Sequence, residues 1–142
     1  MKELNFETGR VTYKVNGGAE LTFNPSDIGF VEKLFNTFDK LAKRQDDAEN
    51  ENRHAEGAEL FEIARRRNNE MRMEIDAIFE EPVCEKIFGK TNVFAIADGM
   101  PLWCNFLMAI IDEIDVTTAG IQQQSNDRVR MYTAKYAKYT KA

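Results

Sequence analysis

The chain has 142 residues, a length that suits one domain with one modest hydrophobic core. Its 24 acidic and 19 basic side chains give a formal net charge of −5, so general nucleic-acid binding is not expected, because phosphate contacts require a cationic surface. Cys84 and Cys104 each follow an apolar residue and predict reduced, buried thiols rather than a disulfide. The opening MKELNFETGR lacks the apolar stretch of a signal peptide, so a cytoplasmic protein is expected.

Residues 1–24 predict a three-stranded antiparallel β-meander with one apolar face. Apolar residues alternate in three short runs, which are separated at Thr8-Gly9 and at Asn16–Gly18. A three-residue loop through Asn16–Gly18, with a glycine in the left-handed region, keeps the apolar residues on one face, whereas a two-residue loop would mix the faces. The predicted cross-strand pairs are Leu4 with Tyr13, Phe6 with Val11, Val11 with Phe23, Tyr13 with Leu21, Val15 with Ala19, and Lys14 with Glu20.

Residues 25–80 predict a helical hairpin. Asn24 is suited to cap the first helix, with Pro25 at its first position and Asp27 complementing the helix dipole. Two apolar stripes at helical spacing run over residues 31–42 and 60–79. Between them, residues 45–58 form a polar tip with five acidic residues and one arginine. The tip composition is compatible with a helical arm and with a disordered loop, and this choice stays open.

Residues 82–124 predict the core helices. Pro82 begins a short helix that Gly89 ends, and Asp98-Gly99 is expected to form a turn. A central helix follows over residues 101–123 and is expected to lie between the sheet and the helical hairpin. Its side chains expected inside are Trp103, Phe106, Leu107, Ile110, Ile111 and Ile114.

The first part of this central helix is almost entirely apolar. From Pro101 to Ile111 only Asn105 is polar. Such a run spans about 16 Å as a helix, roughly half of the hydrocarbon core of a bilayer, so a buried core helix is predicted instead of a membrane span. The Asn105 amide is expected to form a hydrogen bond with a backbone group near Asp98 or in the sheet, because a buried amide without a partner is destabilising.

The tail, residues 125–142, differs in character from the rest of the chain. Over residues 126–142 it carries five basic residues and one acidic residue, with three tyrosines at helical spacing. Tyrosine and arginine are enriched in protein interfaces, so the tail is a candidate protein-binding element, and a solvated terminus is an equal alternative. Attraction between the acidic tip and this basic tail would favour a homo-oligomer. The candidate binding residues are Arg128, Arg130, Tyr132, Lys135, Tyr136 and Tyr139.

No motif predicts a catalytic, cofactor or metal site. The chain has no glycine-rich phosphate loop, and its single histidine, His54, lies in the polar tip, where a solvated side chain is favoured over a ligand. Asp112 and Asp115 share one helix face, which favours solvated carboxylates over an acid–base pair. We therefore expect an α+β protein of one domain, residues 1–142, that is not an enzyme and has no catalytic residue, cofactor or metal.

Three segments of the chain carry a resemblance to a family. They are LNFETGRVTYKVNGGAELTFNPSD with the helix after it, FEIARRRNNEMRMEIDAIF, and NVFAIADGMPLWCNFLMAIIDEID. Together they resemble an uncharacterised group of small proteins encoded by tailed phages and prophages of Gram-positive bacteria. The order of a small β element and then helices also looks like that of siphophage tail-assembly chaperones, which hold the tape-measure protein soluble until tail-tube protein replaces them.

This resemblance implies a non-enzymatic phage assembly protein whose partners are tail proteins, with the tape measure first. It implies the cytoplasm of the bacterial host as the location, and association with the virion stays open. Two alternatives also stay open. One is another structural tail component, and the other is a phage-encoded inhibitor that binds a host defence or regulatory protein through its acidic tip.

Overall fold

A computed structural model of the chain describes residues 1–121 and Ala134, and within them the architecture is α+β. A β-hairpin comes first, followed by two long helices, a short helix, a second very small hairpin and a final long helix. The elements are β1 (Val11–Lys14), β2 (Glu20–Phe23), α1 (Ile28–Asn52), α2 (Ala58–Phe79), α3 (Val83–Phe88), β3 (Ile96–Ala97), β4 (Met100–Pro101) and α4 (Leu102–Ile121).

The hairpin of β1 and β2 has the predicted register. Val11 lies opposite Phe23, and the N–H of Val15 donates to the carbonyl of Ala19 over 2.7 Å. The loop has three residues, and Gly17 takes the left-handed region with φ of 75°. This loop places the apolar side chains on the face toward the helices, as the alternation requires.

The predicted third strand is wrong. Residues 1–10 form no strand, and Leu4 and Phe6 are 93% and 81% exposed. Instead of turning back along β1, the chain is held at the end of β2, because the Asn24 amide donates to the carbonyl of Thr8 over 2.9 Å. Gly9 has φ of +80° beside this bond. The small sheet is therefore a two-stranded hairpin that packs on helices.

The predicted cap of the first helix is also wrong. Asn24 Oδ1 accepts from the backbone N–H of Ser26 over 2.9 Å and from its hydroxyl over 2.7 Å, so the side chain closes a turn ahead of the helix. Asp27 is the N-cap, and its carboxylate accepts from the N–H of Gly29 over 2.9 Å. Helix α1 therefore begins at Ile28, three residues later than a cap at Asn24 would place it.

Helices α1 and α2 form the predicted hairpin, and the open question of its tip is answered. Helix α1 continues to Asn52, and α2 begins after Gly57, whose φ is 59°. The Glu51 carboxylate lies 2.7 Å from the guanidinium of Arg66 and 2.8 Å from that of Arg67. These two ion pairs join the end of α1 to α2, so most of the polar tip is a helical arm.

Helix α4 is the centre of the core. All six of its side chains that were predicted to face the core, from Trp103 to Ile114, are buried. Its Trp103 ring packs edge-on against Phe38 of α1, and Phe106 contacts both Phe79 of α2 and Phe88 of α3. On the side of the sheet, the Tyr13 hydroxyl donates to the Glu113 carboxylate over 3.2 Å. The expected position between the hairpin sheet and the helical hairpin is confirmed by these contacts.

The turn ahead of α4 positions its polar residue. Asp98 and Gly99 both have positive φ, at 61° and 79°, and join β3 to β4 as the sequence predicts. The Asn105 amide donates to the carbonyl of Ala97 over 2.8 Å, next to that turn. Of the helices formed by residues 1–121, none has both the length and the apolar content needed to cross a membrane.

Candidate protein-binding surface

The tail residues proposed from the sequence lie outside the described residues. These tail residues are Arg128, Arg130, Tyr132, Lys135, Tyr136 and Tyr139. The structure therefore offers candidate sites within residues 1–121.

The polar tip contains His54, which is exposed in the turn between α1 and α2. Hydrogen bonds from Arg66, followed by those from Arg67, hold the pKa of Glu51 below its ordinary value. Glu51 is thus already paired with two guanidinium groups of its own chain. Over residues 1–121, no three His, Cys, Asp or Glu side chains converge as metal ligands would.

A polar cavity of about 670 Å³ lies between α2 and the segment that contains α3. The polar side chains that line it form hydrogen bonds with backbone groups of that segment. The Arg72 guanidinium donates to the carbonyls of Gly89 and Thr91, both over 2.7 Å, and the Asp76 carboxylate accepts from the N–H of Cys84 over 2.8 Å. These bonds fasten α3 to α2, which gives the charged residues a structural role.

Cys84 lies in the wall of this cavity, next to the carboxylate of Asp76. Burial raises the pKa of its thiol far above the ordinary value, and Asp76 raises it further. Its thiol also donates to the carbonyl of Arg72 over 3.5 Å. A thiolate is the reactive form of cysteine, so this environment disfavours nucleophilic chemistry at Cys84.

The carboxylates of α4 show two different environments. The Asp112 side chain is exposed by its surface area, but the neighbouring helix surface desolvates it in part and raises its pKa, and Asp115 adds to the effect. Glu113 instead accepts from Tyr13, and burial together with Glu113 raises the pKa of that tyrosine to about 12. Asp112 and Asp115 are exposed on the helix, in line with the solvated carboxylates expected from their spacing.

A surface groove of about 480 Å³ lies where the β-hairpin meets the start of α1 and the end of α2. Three aromatic rings form its floor. The Phe23 ring stacks on Phe30 with centroids 5.2 Å apart, and Phe30 lies 5.7 Å from Phe79. Phe23 is buried, whereas Phe30 and Phe79 are partly exposed to the groove. We call this feature the aromatic groove.

The rim of the aromatic groove is charged. Lys33 of α1 lies 3.3 Å from Glu80, the left-handed residue that ends α2. Arg10 and Asp27 also line the groove. An apolar floor with a rim of both charges can take the apolar side of an amphipathic protein segment, because rim charges set its orientation while the floor buries its side chains.

An exposed apolar segment runs up to this groove. Residues 1–7, which we call the N-terminal arm, include the exposed side chains of Met1, Leu4 and Phe6. The sequence pattern assigned Leu4 and Phe6 to the sheet, so their exposure was missed. Alternation indicates a segment that can form a strand, but it does not show whether the folded chain supplies a strand partner, and residues 1–121 supply none to Leu4 and Phe6.

Comparison of the chain with protein-family models, with curated proteins and with solved structures found no match.

Proposed function

We propose that this protein is a non-enzymatic phage assembly protein, a tail-assembly chaperone that holds the tape-measure protein soluble. The observation that carries the proposal is the aromatic groove, whose partly exposed Phe30 and Phe79 rings offer a binding surface for an apolar segment. Aromatic side chains bury a large area at a low cost in conformational entropy, which suits them to recognition. The resemblance of the sequence to small phage tail proteins supplies the identity of the client.

The chemistry of the groove matches such a client. Before it assembles, a long helical protein exposes apolar stripes, and side chains from such a stripe can pack on the aromatic floor of the groove. Lys33, Glu80 and Arg10 at the rim can pair with either sign of charge on the polar side of the client helix. Exposed ion pairs add little affinity, so binding would be moderate and reversible. Reversibility is what later displacement by tail-tube protein requires.

The test is co-expression with the tape-measure protein of the same phage, measuring the soluble fraction of that client. Phe30→Ala should lower the soluble fraction, because it removes a ring from the groove floor. Phe61→Ala is the matched control, since Phe61 is a 64% exposed ring on α2 that does not line the groove. Circular dichroism of both variants shows whether the fold is retained.

Two results would reject the proposal. One is a client that stays insoluble with the wild-type protein, and the other is an equal effect of the two variants while both remain folded. The inhibitor alternative would then be favoured. One observation supports the inhibitor alternative, since Asp46, Asp47 and Glu56 at the polar tip are exposed. Capture of a host protein by the wild type would support the inhibitor alternative if charge reversal at these three positions abolishes that capture.

A further inference from the structure

The outer edge of β1 presents backbone groups that can pair with another strand. Within residues 1–121, β1 pairs with β2 alone. The bond from Val15 to Ala19 marks a hydrogen-bonded pair, and pairs of this kind alternate along an antiparallel ladder. Thr12 and Lys14 therefore direct their N–H and C=O groups away from β2. The Thr12 and Thr22 hydroxyl oxygens lie 2.8 Å apart, as expected for the narrow pair.

The N-terminal arm is complementary to this edge. Read antiparallel to β1 with Phe6 opposite Val11, it places Leu4 opposite Tyr13, on the same face as the buried Leu21 and Phe23 of β2. On the other face the same register sets Glu3 opposite Lys14. Lys14 already lies opposite Glu20, so it would sit between two carboxylates. Opposite charges in facing positions stabilise a strand pair and specify its register.

The arm of the same chain is directed elsewhere. The bond from Asn24 holds Thr8 beside the end of β2, and the backbone approaches so closely at Gly9 that an added Cβ would lie 2.9 Å from the Asn24 amide nitrogen. A return along its own β1 would need a reversal between residues 7 and 10, where this contact instead fixes the backbone. Leu4 and Phe6 are left exposed as a result.

We propose that the arm of one copy adds as a third strand to β1 of a second copy. Open sheet edges are templates for strand addition, and the register above covers the apolar side chains of the arm. If each copy gives its arm to the other, the contact is reciprocal and closes as a two-fold dimer. The proposal does not depend on the chaperone function, because it uses the edge of β1 and leaves the aromatic groove to the client.

Disulfide trapping tests the register directly. A tagged chain with Asn5→Cys is mixed with an untagged chain with Thr12→Cys and mildly oxidised. Facing residues have Cα atoms about 5.5 Å apart, within the range of a disulfide, so a covalent tagged–untagged dimer is expected. Glu3→Cys mixed with Thr12→Cys is the control, because this diagonal pair lies about 7–8 Å apart and should link much less. Cys84 and Cys104 are buried and should not compete.

Sedimentation equilibrium of the full chain measures the consequence. Wild-type protein should be a dimer, and deletion of residues 1–6 should give a monomer. Glu3→Lys should raise the dimer Kd by about threefold or more, since it sets like charges opposite each other in both arms. Glu62→Lys makes the same change of charge at an exposed position on α2, away from β1, and should leave the Kd unchanged.

Three results would overturn the arm exchange. They are a monomeric wild type at high concentration, a dimer that survives removal of the arm, and a disulfide that forms within one chain when Asn5→Cys and Thr12→Cys are combined. The last would show that the arm pairs with its own strand. The chaperone proposal is tested apart from these results, because Glu3→Lys should weaken the dimer while client solubilisation is retained, and Phe30→Ala should do the opposite.

Discussion

The indole N–H of Trp103 donates to the side-chain oxygen of Gln45 over 2.9 Å, and this bond joins the start of α4 to the second half of α1. Trp103 is only 1% exposed, so its N–H would otherwise be buried without an acceptor. Gln45 is the residue at which the apolar stripe of α1 gives way to the polar tip. The bond therefore marks the point where the core ends along the helical hairpin.

Trp103→Ala should lower the free energy of unfolding by about 3–5 kcal/mol, because it leaves a large cavity between α1 and α4. Urea titration followed by circular dichroism measures it. Trp103→Phe is the control, since it keeps much of the apolar volume and should cost less. A loss under about 1 kcal/mol for Trp103→Ala would contradict the buried position of the ring.

Protonation of Glu51 should contribute to the loss of stability in acid. Its pKa lies below the ordinary 4.5 in the folded protein because Arg66 and Arg67 donate hydrogen bonds to the carboxylate. The stabilisation is present above that ordinary value and is lost as pH falls through the lowered pKa. Urea midpoints measured between about pH 6 and pH 3 should fall less for Glu51→Gln than for wild type. Glu56→Gln, a change at an exposed neighbour, should follow the wild type, and identical curves for all three would contradict this role.

The two thiols should react slowly in the native protein. Burial raises the pKa of Cys104 to about 11, and it raises the pKa of Cys84 further, so both stay protonated near pH 8. Labelling with a thiol reagent, read by mass spectrometry, should be slow until urea unfolds the chain. Ser26→Cys adds an exposed thiol as an internal control that should label at once. Rapid native labelling of Cys84 would reopen the case for a reactive cysteine.

Asp76→Ala should destabilise the protein by about 1 kcal/mol, the usual cost of losing a side-chain acceptor at a helix start. The cap is unusual in coming from another helix, because Asp76 of α2 accepts from the N–H of Cys84 in the first turn of α3. Asp76→Asn keeps an acceptor oxygen and should retain most of the stability. Thermal melts measure both, and equal losses would mean that the charge of Asp76 matters more than its bond.

Deletion of residues 126–142 should leave the chain folded, because the described core is complete within residues 21–114. Client binding or self-association should weaken, since the deletion removes the interface candidates Tyr132, Tyr136 and Tyr139 with their basic neighbours. Circular dichroism and co-expression with the tape-measure protein measure the two effects. An unfolded truncation would place the tail in the core and reject a surface role for its tyrosines.

The sequence by itself determined the elements whose evidence is local. Alternation and the Asn16–Gly18 loop gave the register of β1 with β2, because moving the pairing by one residue would turn every apolar side chain to solvent. The apolar run from Pro101 to Ile111 predicted the buried face of α4, since no other segment of the chain could supply so continuous an apolar surface. These features depend on residues close together in the chain.

Tertiary structure decided the features that depend on residues far apart. Leu4 and Phe6 alternate as a strand does, yet the contact of Asn24 with Thr8, 16 residues away, directs the chain away from β1. The polar tip is helical to Asn52, and its last turn is joined to the next helix by the ion pairs of Glu51 with Arg66 and Arg67. The aromatic groove likewise exists because Phe23, Phe30 and Phe79 come from three elements. The local sequence pattern indicates which conformations a segment can adopt, and contacts with distant residues determine which of them is stable in the folded chain.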